Sequence, residues 1–185
     1  MANASAVIYN ALLAFPSHFG PNERAVNWCG ASHILVLCEG SLLRNLCFIG
    51  FYLDSTLFPR PRISRAQPLS NGYASSKLLL GPFCGKPACQ FINTTPGKAR
   101  GVCADAFMQR RTALVPDVEA YPGHIACDGE TKSEIVCPLL LHRDGEEDAV
   151  LGVLDLDCLA LGGFDEEDQT GLERIAELVV KACDW

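Results

Sequence analysis

The chain's 185 residues, 49% of them hydrophobic and 20% charged, fit a single folded domain over 1–185 and exclude a disordered segment. A formal net charge of −7 argues against nucleic acid as the main partner. Ten cysteines in a chain whose start does not resemble a signal peptide predict a reducing, cytoplasmic compartment, in which thiols are either buried or catalytic.

The first part of the chain predicts a helix, two short strands and a long loop. Alanine and leucine favour a helix over 3–14, and strand-forming residues favour strands at 24–30 and 51–54. Prolines, arginines and serines predict a surface loop over 58–76.

The longest apolar run, 34–53, is not expected to span a membrane. Glu39 and Arg44 interrupt it, and each charge near the centre of a spanning helix would cost roughly 2.5–3.5 kcal/mol on insertion scales. We therefore expect no membrane partner.

The remaining sequence predicts a series of strands closed by a helix. Strands are expected at 77–80, 112–115, 134–141 and 149–157, and a short helix is expected at 104–111. A Gly-Pro-Phe turn should follow the first of these strands, and Asp144-Gly145 marks a hairpin between the last two. The acidic run after Phe164 should cap a final helix with an apolar face formed by Leu172, Ile175, Leu178 and Val179. This order of elements predicts an antiparallel α+β fold.

Three cysteines lie in separate turn-like segments marked by glycine or proline, and three acids follow them. The cysteines are Cys89, Cys103 and Cys127, and the acids are Glu134, Asp155 and Asp157. Thiols in turns can meet in space and exchange disulfides, while nearby carboxylates can transfer a proton and bind a charged substrate. The pattern predicts thiol redox chemistry on a small polar molecule.

Six runs in this part of the chain carry a family resemblance. They are 80–89 (LGPFCGKPAC), 101–103 (GVC), 115–118 (VPDV), 123–128 (GHIACD), 133–136 (SEIV) and 152–157 (GVLDLD). In this order they resemble free methionine-R-sulfoxide reductase, an enzyme family built on a GAF domain. The resemblance implies a six-stranded antiparallel sheet flanked by helices and reduction of free L-methionine-R-sulfoxide. It also implies thioredoxin as the reductant and a fold that often forms a homodimer. Thiol chemistry of this kind requires no metal or organic cofactor.

The resemblance also assigns roles to individual residues. Cys127 would be the catalytic thiol, with Cys89 and Cys103 as resolving or relay thiols in an order that the sequence leaves open. The pocket acids would be Glu134, Asp155 and Asp157, and the aromatic pair around the substrate methyl group would be Trp28 and Tyr52. Carboxylates that lie close together repel one another when ionised, so at least one should have a raised pKa. That acid could donate its proton to the sulfoxide oxygen. Cys137, Cys158 and Cys183 are expected to be packing residues, and His124 is expected only to orient its loop.

An apolar block at 31–50 separates the two aromatic residues. The family pattern Asn-Trp-x-Gly-Phe-Tyr is continuous, and deleting the block restores it. We expect a single GAF-like domain with an atypical insertion at 31–50. Only a looped-out insertion would keep Trp28 and Tyr52 in one pocket wall.

Other functions fit the sequence less well. A GAF small-molecule sensor, which binds a ligand without turnover, is the main alternative, because most GAF domains act as such modules. A sensor would need neither Cys127 nor a resolving partner. A general thiol peroxidase would not need an acidic pocket. A structural zinc site is disfavoured because no two cysteines have Cys-x-x-Cys spacing and the histidines lie far from any cysteine pair.

Overall fold

The computed structural model describes residues 46–57, 76–85, 88–127 and 129–185. Within these ranges it contains one six-stranded sheet and two α-helices. The elements are β1 (Leu46–Asp54), a 3₁₀ turn (Ser55–Leu57), β2 (Lys77–Gly85), β3 (Phe91–Asn93), α1 (Val102–Gln109), β4 (Ala113–Val115), β5 (Ser133–Leu141), β6 (Ala149–Cys158) and α2 (Glu166–Ala182). Neither of these helices is both long and apolar enough to cross a bilayer.

The strands pair in the order β3-β2-β1-β6-β5-β4, and every pair is antiparallel. This confirms the predicted α+β class with a six-stranded antiparallel sheet flanked by helices. The elements α1, β4, β5 and β6 agree with their predicted ranges to within two residues at each end. The predicted helix at 3–14, the predicted strand at 24–30 and residues 58–75 of the predicted loop lie outside the described residues.

Strand β1 begins five residues earlier than the predicted strand at 51–54. It pairs with β2 on one side and with β6 on the other, and Phe48 lies opposite Asp157 while Gly50 lies opposite Asp155. Residues 46–50, the end of the predicted insertion, are therefore part of the central strand. Residues 31–45 lie outside the described residues.

The predicted Gly-Pro-Phe turn is wrong, because β2 continues through it to Gly85. Phe83 pairs with Gly50 while Leu80 pairs with Tyr52, so the register shifts at Gly81 and Pro82. A bulge tolerates proline, which cannot donate a ladder hydrogen bond. A Cβ atom at Gly81 would lie 3.0 Å from the carbonyl oxygen of Phe51, which explains the glycine at this close approach.

Residues of β5 and β6 alternate between two sides of the sheet, here called the α2 face and the α1 face after the helix that covers each. On the α2 face, Ile135, Leu154 and Leu156 are fully buried in an apolar cluster. On the α1 face, Val136 and Val153 pack in a second cluster that includes residues of α1. The α1 face also carries the acids of the candidate site.

Helix α2 begins where the acidic run predicts. The Asp165 side chain accepts hydrogen bonds from the backbone N–H groups of Glu167 and Asp168 at 2.8 and 3.0 Å. The Asp168 carboxylate in turn accepts from the backbone N–H of Asp165. This capping box satisfies donors at the first turn that have no partner within the helix.

The predicted apolar face of α2 is wrong at one position. Leu172 and Val179 are buried as expected, but Leu178 is 64% exposed. Ala176 and Val180 are buried instead. Because residues two apart lie on nearly opposite sides of an α-helix, burying these two directs Leu178 to solvent.

Candidate active site

A cavity of about 210 Å³ lies on the α1 face, between the sheet, the start of α1, the loop before α1 and the loop that joins β4 to β5. Its walls include all three predicted thiols and all three predicted acids, and they also include basic and apolar residues. The lining residues are Cys89, Phe91, Ile92, Asn93, Lys98, Arg100, Gly101, Val102, Cys103, His124, Ile125, Cys127, Thr131, Glu134, Asp155 and Asp157.

Two of the predicted thiols form a disulfide. Cys89 and Cys127 are bonded, their Cα atoms are 5.4 Å apart, and 38 positions separate them in sequence. Cys127 is exposed in the loop that joins β4 to β5, and Cys89 is half-buried just before β3. The bond thus lies in the cavity wall where solvent can reach it.

The third predicted thiol, Cys103, is free and buried in the first turn of α1. Gly101 precedes the helix with a φ of +87°, a conformation that glycine adopts without strain. The Cys103 thiol donates a hydrogen bond to Oε1 of Glu134 at 3.7 Å. Burial, followed by the nearby charges of Asp155 and Glu134, raises the pKa of Cys103 well above its ordinary value. Cys103 is therefore a protonated thiol in this state.

The three acids come together because two neighbouring strands carry them on the α1 face. Glu134 on β5 lies directly opposite Asp157 on β6, and Asp155 lies two residues before Asp157. All three side chains are buried. Like charges opposite each other destabilise a sheet, so this arrangement favours partial protonation.

Burial is the main cause of the altered pKa values in this cluster. It raises the pKa of Asp155 to about 7, while hydrogen bonds from Cys103 and Glu134 oppose the shift. Burial and the charges of Asp155 and Asp157 raise the pKa of Glu134 well above its usual range. At neutral pH the cluster therefore holds protons that it can donate.

His124, which was expected only to orient its loop, also lies in the wall of the cavity. Its Nε2 atom lies 3.6 Å from Oε2 of Glu134, and it lines the cavity. Burial lowers the pKa of His124, so the contact joins a neutral imidazole to an acid rather than forming an ion pair. The sequence signal was its place three residues before Cys127 in the GHIACD run.

The sequence reasoning missed two basic residues of the wall. Lys98 and Arg100 lie in the loop that joins β3 to α1, and both are exposed where the loop borders the cavity. The signal for them was two cations close together in the segment between two candidate thiols. They add positive charge to the wall of a cavity that also contains the three buried acids, here called the acidic floor.

The predicted aromatic pair is described only in part. Trp28 lies outside the described residues. Tyr52 is 1% exposed and packs in the α1-face cluster, but it is not among the residues that line the cavity. Burial and the charge of Asp155 raise its pKa, so Tyr52 lies close behind the acidic floor as a neutral phenol. Phe48 occupies the strand position four residues before Tyr52, the spacing at which the family pattern has tryptophan.

The cysteines predicted to be packing residues do not line the cavity. Cys137 and Cys158 are fully buried in the α2-face cluster, and Cys183 packs against the same cluster beyond the end of α2. These three and Cys103 have free thiols.

Comparison with known proteins gives a consistent result. A family model of the GAF domain matches residues 45–184. The free methionine-R-sulfoxide reductase of Saccharomyces cerevisiae is 40% identical over 171 residues, which cover 90% of this chain and 82% of the yeast protein. The Escherichia coli enzyme of the same name is 39% identical over 104 residues, which cover 56% of this chain and 58% of that protein.

A solved structure agrees in fold and in sequence. The structure of free methionine-R-sulfoxide reductase from Neisseria meningitidis, in complex with its substrate, superposes with a TM-score of 0.58 and 30% sequence identity. The match covers 98% of this chain and 78% of that one.

Proposed function

The chain belongs to the free methionine-R-sulfoxide reductases of the GAF-domain family, and from that premise we propose how its cavity reduces free L-methionine-R-sulfoxide. The enzyme is an oxidoreductase that acts on methionine sulfoxide. One observation carries the proposal: a disulfide between Cys89 and Cys127 lies in the wall of a cavity whose floor holds three buried acids. That arrangement combines a redox couple with a source of protons.

The charge distribution of the cavity suits a free amino acid. Lys98 and Arg100 border it at exposed positions, whereas Glu134, Asp155 and Asp157 are buried on its floor. A zwitterion presents a carboxylate and an ammonium group, so the substrate carboxylate would pair with the basic residues. Its ammonium group would pair with an ionised acid of the floor. A methionine residue inside a peptide lacks both charged groups, so the charges of the cavity favour the free amino acid as substrate.

The apolar part of the substrate also has a complementary surface. Ile92, Val102 and Ile125 also line the cavity. We propose that these side chains contact the methylene and methyl groups of the substrate. Burial of that apolar surface would contribute affinity, while the charged ends fix the orientation.

We propose that Cys127 attacks the sulfoxide sulfur. It is exposed and borders the cavity, whereas Cys103 is buried and donates a hydrogen bond to Glu134. The attack transfers the oxygen from the substrate to Cys127, so methionine leaves reduced and Cys127 becomes a sulfenic acid. The Cys89 thiol then attacks that sulfenic acid, water leaves, and the two sulfurs form the disulfide.

Asp155 is the proton donor in this scheme. A pKa of about 7 makes it a carboxylic acid for about half the time at neutral pH, close to the optimum for general acid catalysis. Its proton would go to the sulfoxide oxygen, which makes the sulfur more electrophilic. Glu134, with its raised pKa, would return a proton to Asp155 between turnovers.

We propose thioredoxin as the reductant that reopens the disulfide. Thiol–disulfide exchange needs an attacking thiolate to reach one sulfur, and Cys127 is exposed. Attack there would give a mixed disulfide with Cys127 and release Cys89 as a thiol. The predicted homodimer and the cytoplasmic compartment stay predictions.

The experiment is NADPH oxidation coupled through thioredoxin reductase and thioredoxin, with free L-methionine-R-sulfoxide as substrate. We expect turnover by the parent chain, none by Cys127→Ser, and unchanged turnover by the matched thiol control Cys183→Ser. Substrate in which the sulfoxide lies within a peptide should not react. Binding of the free sulfoxide without turnover, in folded protein, would contradict the proposal and support the sensor alternative.

A deletion tests the role proposed for Trp28. Removing 31–50 joins Gly30 to Phe51 and puts Trp28 four residues before Tyr52, at the strand position that Phe48 now holds. We expect the deletion variant to fold, because 26–30 then replace 46–50 in β1, and to bind substrate with a lower KM. An unchanged KM in the deletion variant would remove Trp28 from the proposed pocket.

A further inference from the structure

The floor of the cavity brings together three different metal-ligand groups that lie far apart in sequence. Sγ of Cys103 and carboxylate oxygens of Glu134 and Asp155 all lie within 4.8 Å of one another, and all three residues are buried. Cys103 comes from α1, Glu134 from β5 and Asp155 from β6. One point in the cavity can therefore face a thiol and two carboxylates at once.

A second observation is that one carboxylate oxygen of this cluster has no hydrogen-bond partner among the described residues. Asp155 is 5% exposed, and among the described residues its Oδ1 atom accepts no hydrogen bond. A buried carboxylate oxygen without a partner is costly, and native proteins usually satisfy such atoms with water, an ion or another side chain. Asp155 also lines the cavity, so a ligand in the cavity can reach it.

We propose that Cys103, Glu134 and Asp155 bind a thiophilic divalent cation of the Zn²⁺ class. Thiolate and carboxylate are both zinc ligands, and three protein ligands with one open position are typical of zinc sites that exchange their fourth ligand. Bond lengths of about 2.3 Å to sulfur and 2.1 Å to oxygen place tetrahedral S and O ligands about 3.6 Å apart. The observed distance between Cys103 Sγ and Glu134 Oε1 is 3.7 Å, so these two atoms already have the separation that tetrahedral coordination requires.

Two residues beside the proposed ligands favour binding of a cation there. His124 contacts the second oxygen of Glu134, Oε2, at 3.6 Å and can hold the carboxylate in a fixed orientation. Asp157, directly across the strand pair from Glu134, adds a third buried acid to the floor. A dication would offset the mutual repulsion of these acids. Coordination breaks the S–H bond of Cys103, a bond from sulfur to the metal forms, and the proton passes to solvent.

A bound cation would inhibit the enzyme. This consequence rests on the proposed function, in which the same acids bind the substrate ammonium group and donate the proton. The cation occupies the floor that the substrate needs, so the inhibition should be competitive with free methionine sulfoxide. Because the metal ligands include Cys103 and exclude the disulfide sulfurs, the oxidised protein should bind the cation.

The test is titration of Co²⁺ into protein with the Cys89–Cys127 disulfide closed, so that neither of those thiols can bind metal. Cobalt bound to a thiolate gives a charge-transfer absorption band in the near ultraviolet, and Zn²⁺ should displace Co²⁺ and remove it. We expect one equivalent to bind in the parent and in the matched thiol control Cys183→Ser. In Cys103→Ser the band should be lost.

Two carboxylate variants keep the result interpretable if Cys103→Ser does not fold. Glu134→Gln and Asp155→Asn retain the thiol but remove a charged ligand, so each should bind Co²⁺ at least about tenfold more weakly. Absence of a band in the parent, or a band and affinity that survive Cys103→Ser, would overturn the site. A Co²⁺ affinity that saturating methionine sulfoxide leaves unchanged would overturn the overlap with the substrate. Because the titration needs no turnover, its failure would leave the reductase proposal standing.

Discussion

Burial has opposite effects on the side chains of the two faces of β6. On the α2 face, Leu154 and Leu156 are fully buried, and each contributes on the order of 1.5–3 kcal/mol to stability by leaving water. On the α1 face, Asp155 and Asp157 alternate with them and are almost as buried. There burial disfavours the ionised acids and raises the pKa of Asp155 to about 7.

The comparison shows that the groups able to transfer protons lie on the α1 face, while the α2 face is apolar. An acid on an exposed strand face would be ionised at neutral pH and would hold no proton to donate. Burial on the α1 face keeps its acids partly protonated, and burial of apolar side chains on the α2 face contributes stability. The α2 face thus offsets the instability that the α1 face introduces. Substitutions on one face at a time should therefore separate effects on activity from effects on stability.

The largest expected effect is on activity, from the α1 face. Asp155→Asn cannot donate a carboxylic proton, so kcat/KM should fall by about 10²–10⁴, the usual contribution of a general acid. In the parent, kcat/KM should also fall as pH rises through about 7, where Asp155 loses its proton. Steady-state kinetics from pH 5 to 9 measures both. A parent profile that stays flat above pH 7 would exclude Asp155 as the donor.

The next effect is on stability, from the α2 face. Leu154→Ala leaves a cavity in a closed apolar cluster and should lower the free energy of unfolding by about 2–5 kcal/mol. Urea denaturation followed by circular dichroism measures the change. Activity per folded molecule should be unchanged at low temperature. If activity is instead lost in protein that is still folded, the two faces are not independent.

A smaller effect concerns the stability of the α1 face and depends on pH. The folded pKa of Asp155 lies above its ordinary value, so its favourable contribution is complete below about pH 4 and is lost as pH rises through about 7. The parent should therefore be less stable at pH 8 than at pH 5. Asp155→Asn should remove up to about 3 kcal/mol of that difference, because about two pH units of the shift lie between pH 5 and the folded pKa. Thermal unfolding at the two pH values is the measurement, and equal shifts for parent and variant would contradict it.

The smallest effect is at the solvent side of α2. Leu178 is 64% exposed, so Leu178→Ala should change the free energy of unfolding by no more than about 0.5 kcal/mol. It is the matched control for Leu154→Ala, because the same atoms are removed from an exposed site. A loss of more than about 1 kcal/mol, twice the expected limit, would contradict the exposed position of Leu178.

Much of the fold could be predicted because its signals are local. The alternation in β6 placed Asp155 and Asp157 on one face, Asp144-Gly145 marked the hairpin, and the acids after Phe164 capped α2. The predictions that were wrong depended on partners distant in sequence. The register shift that accommodates Pro82 needs β1 beside β2, and the direction of Leu178 is set by which residues of α2 meet the sheet.

The sequence by itself determined the family, the class of fold and the candidate thiols and acids, because motif order, periodicity and turn residues are properties of neighbours along the chain. Only the tertiary structure decided that Cys89 pairs with Cys127 and that Cys103 faces Glu134 and Asp155. It also decided that Asp155 retains a proton near neutral pH. The physical reason is that disulfides, ligand clusters and pKa shifts depend on distances and burial among groups that only the folded chain brings together.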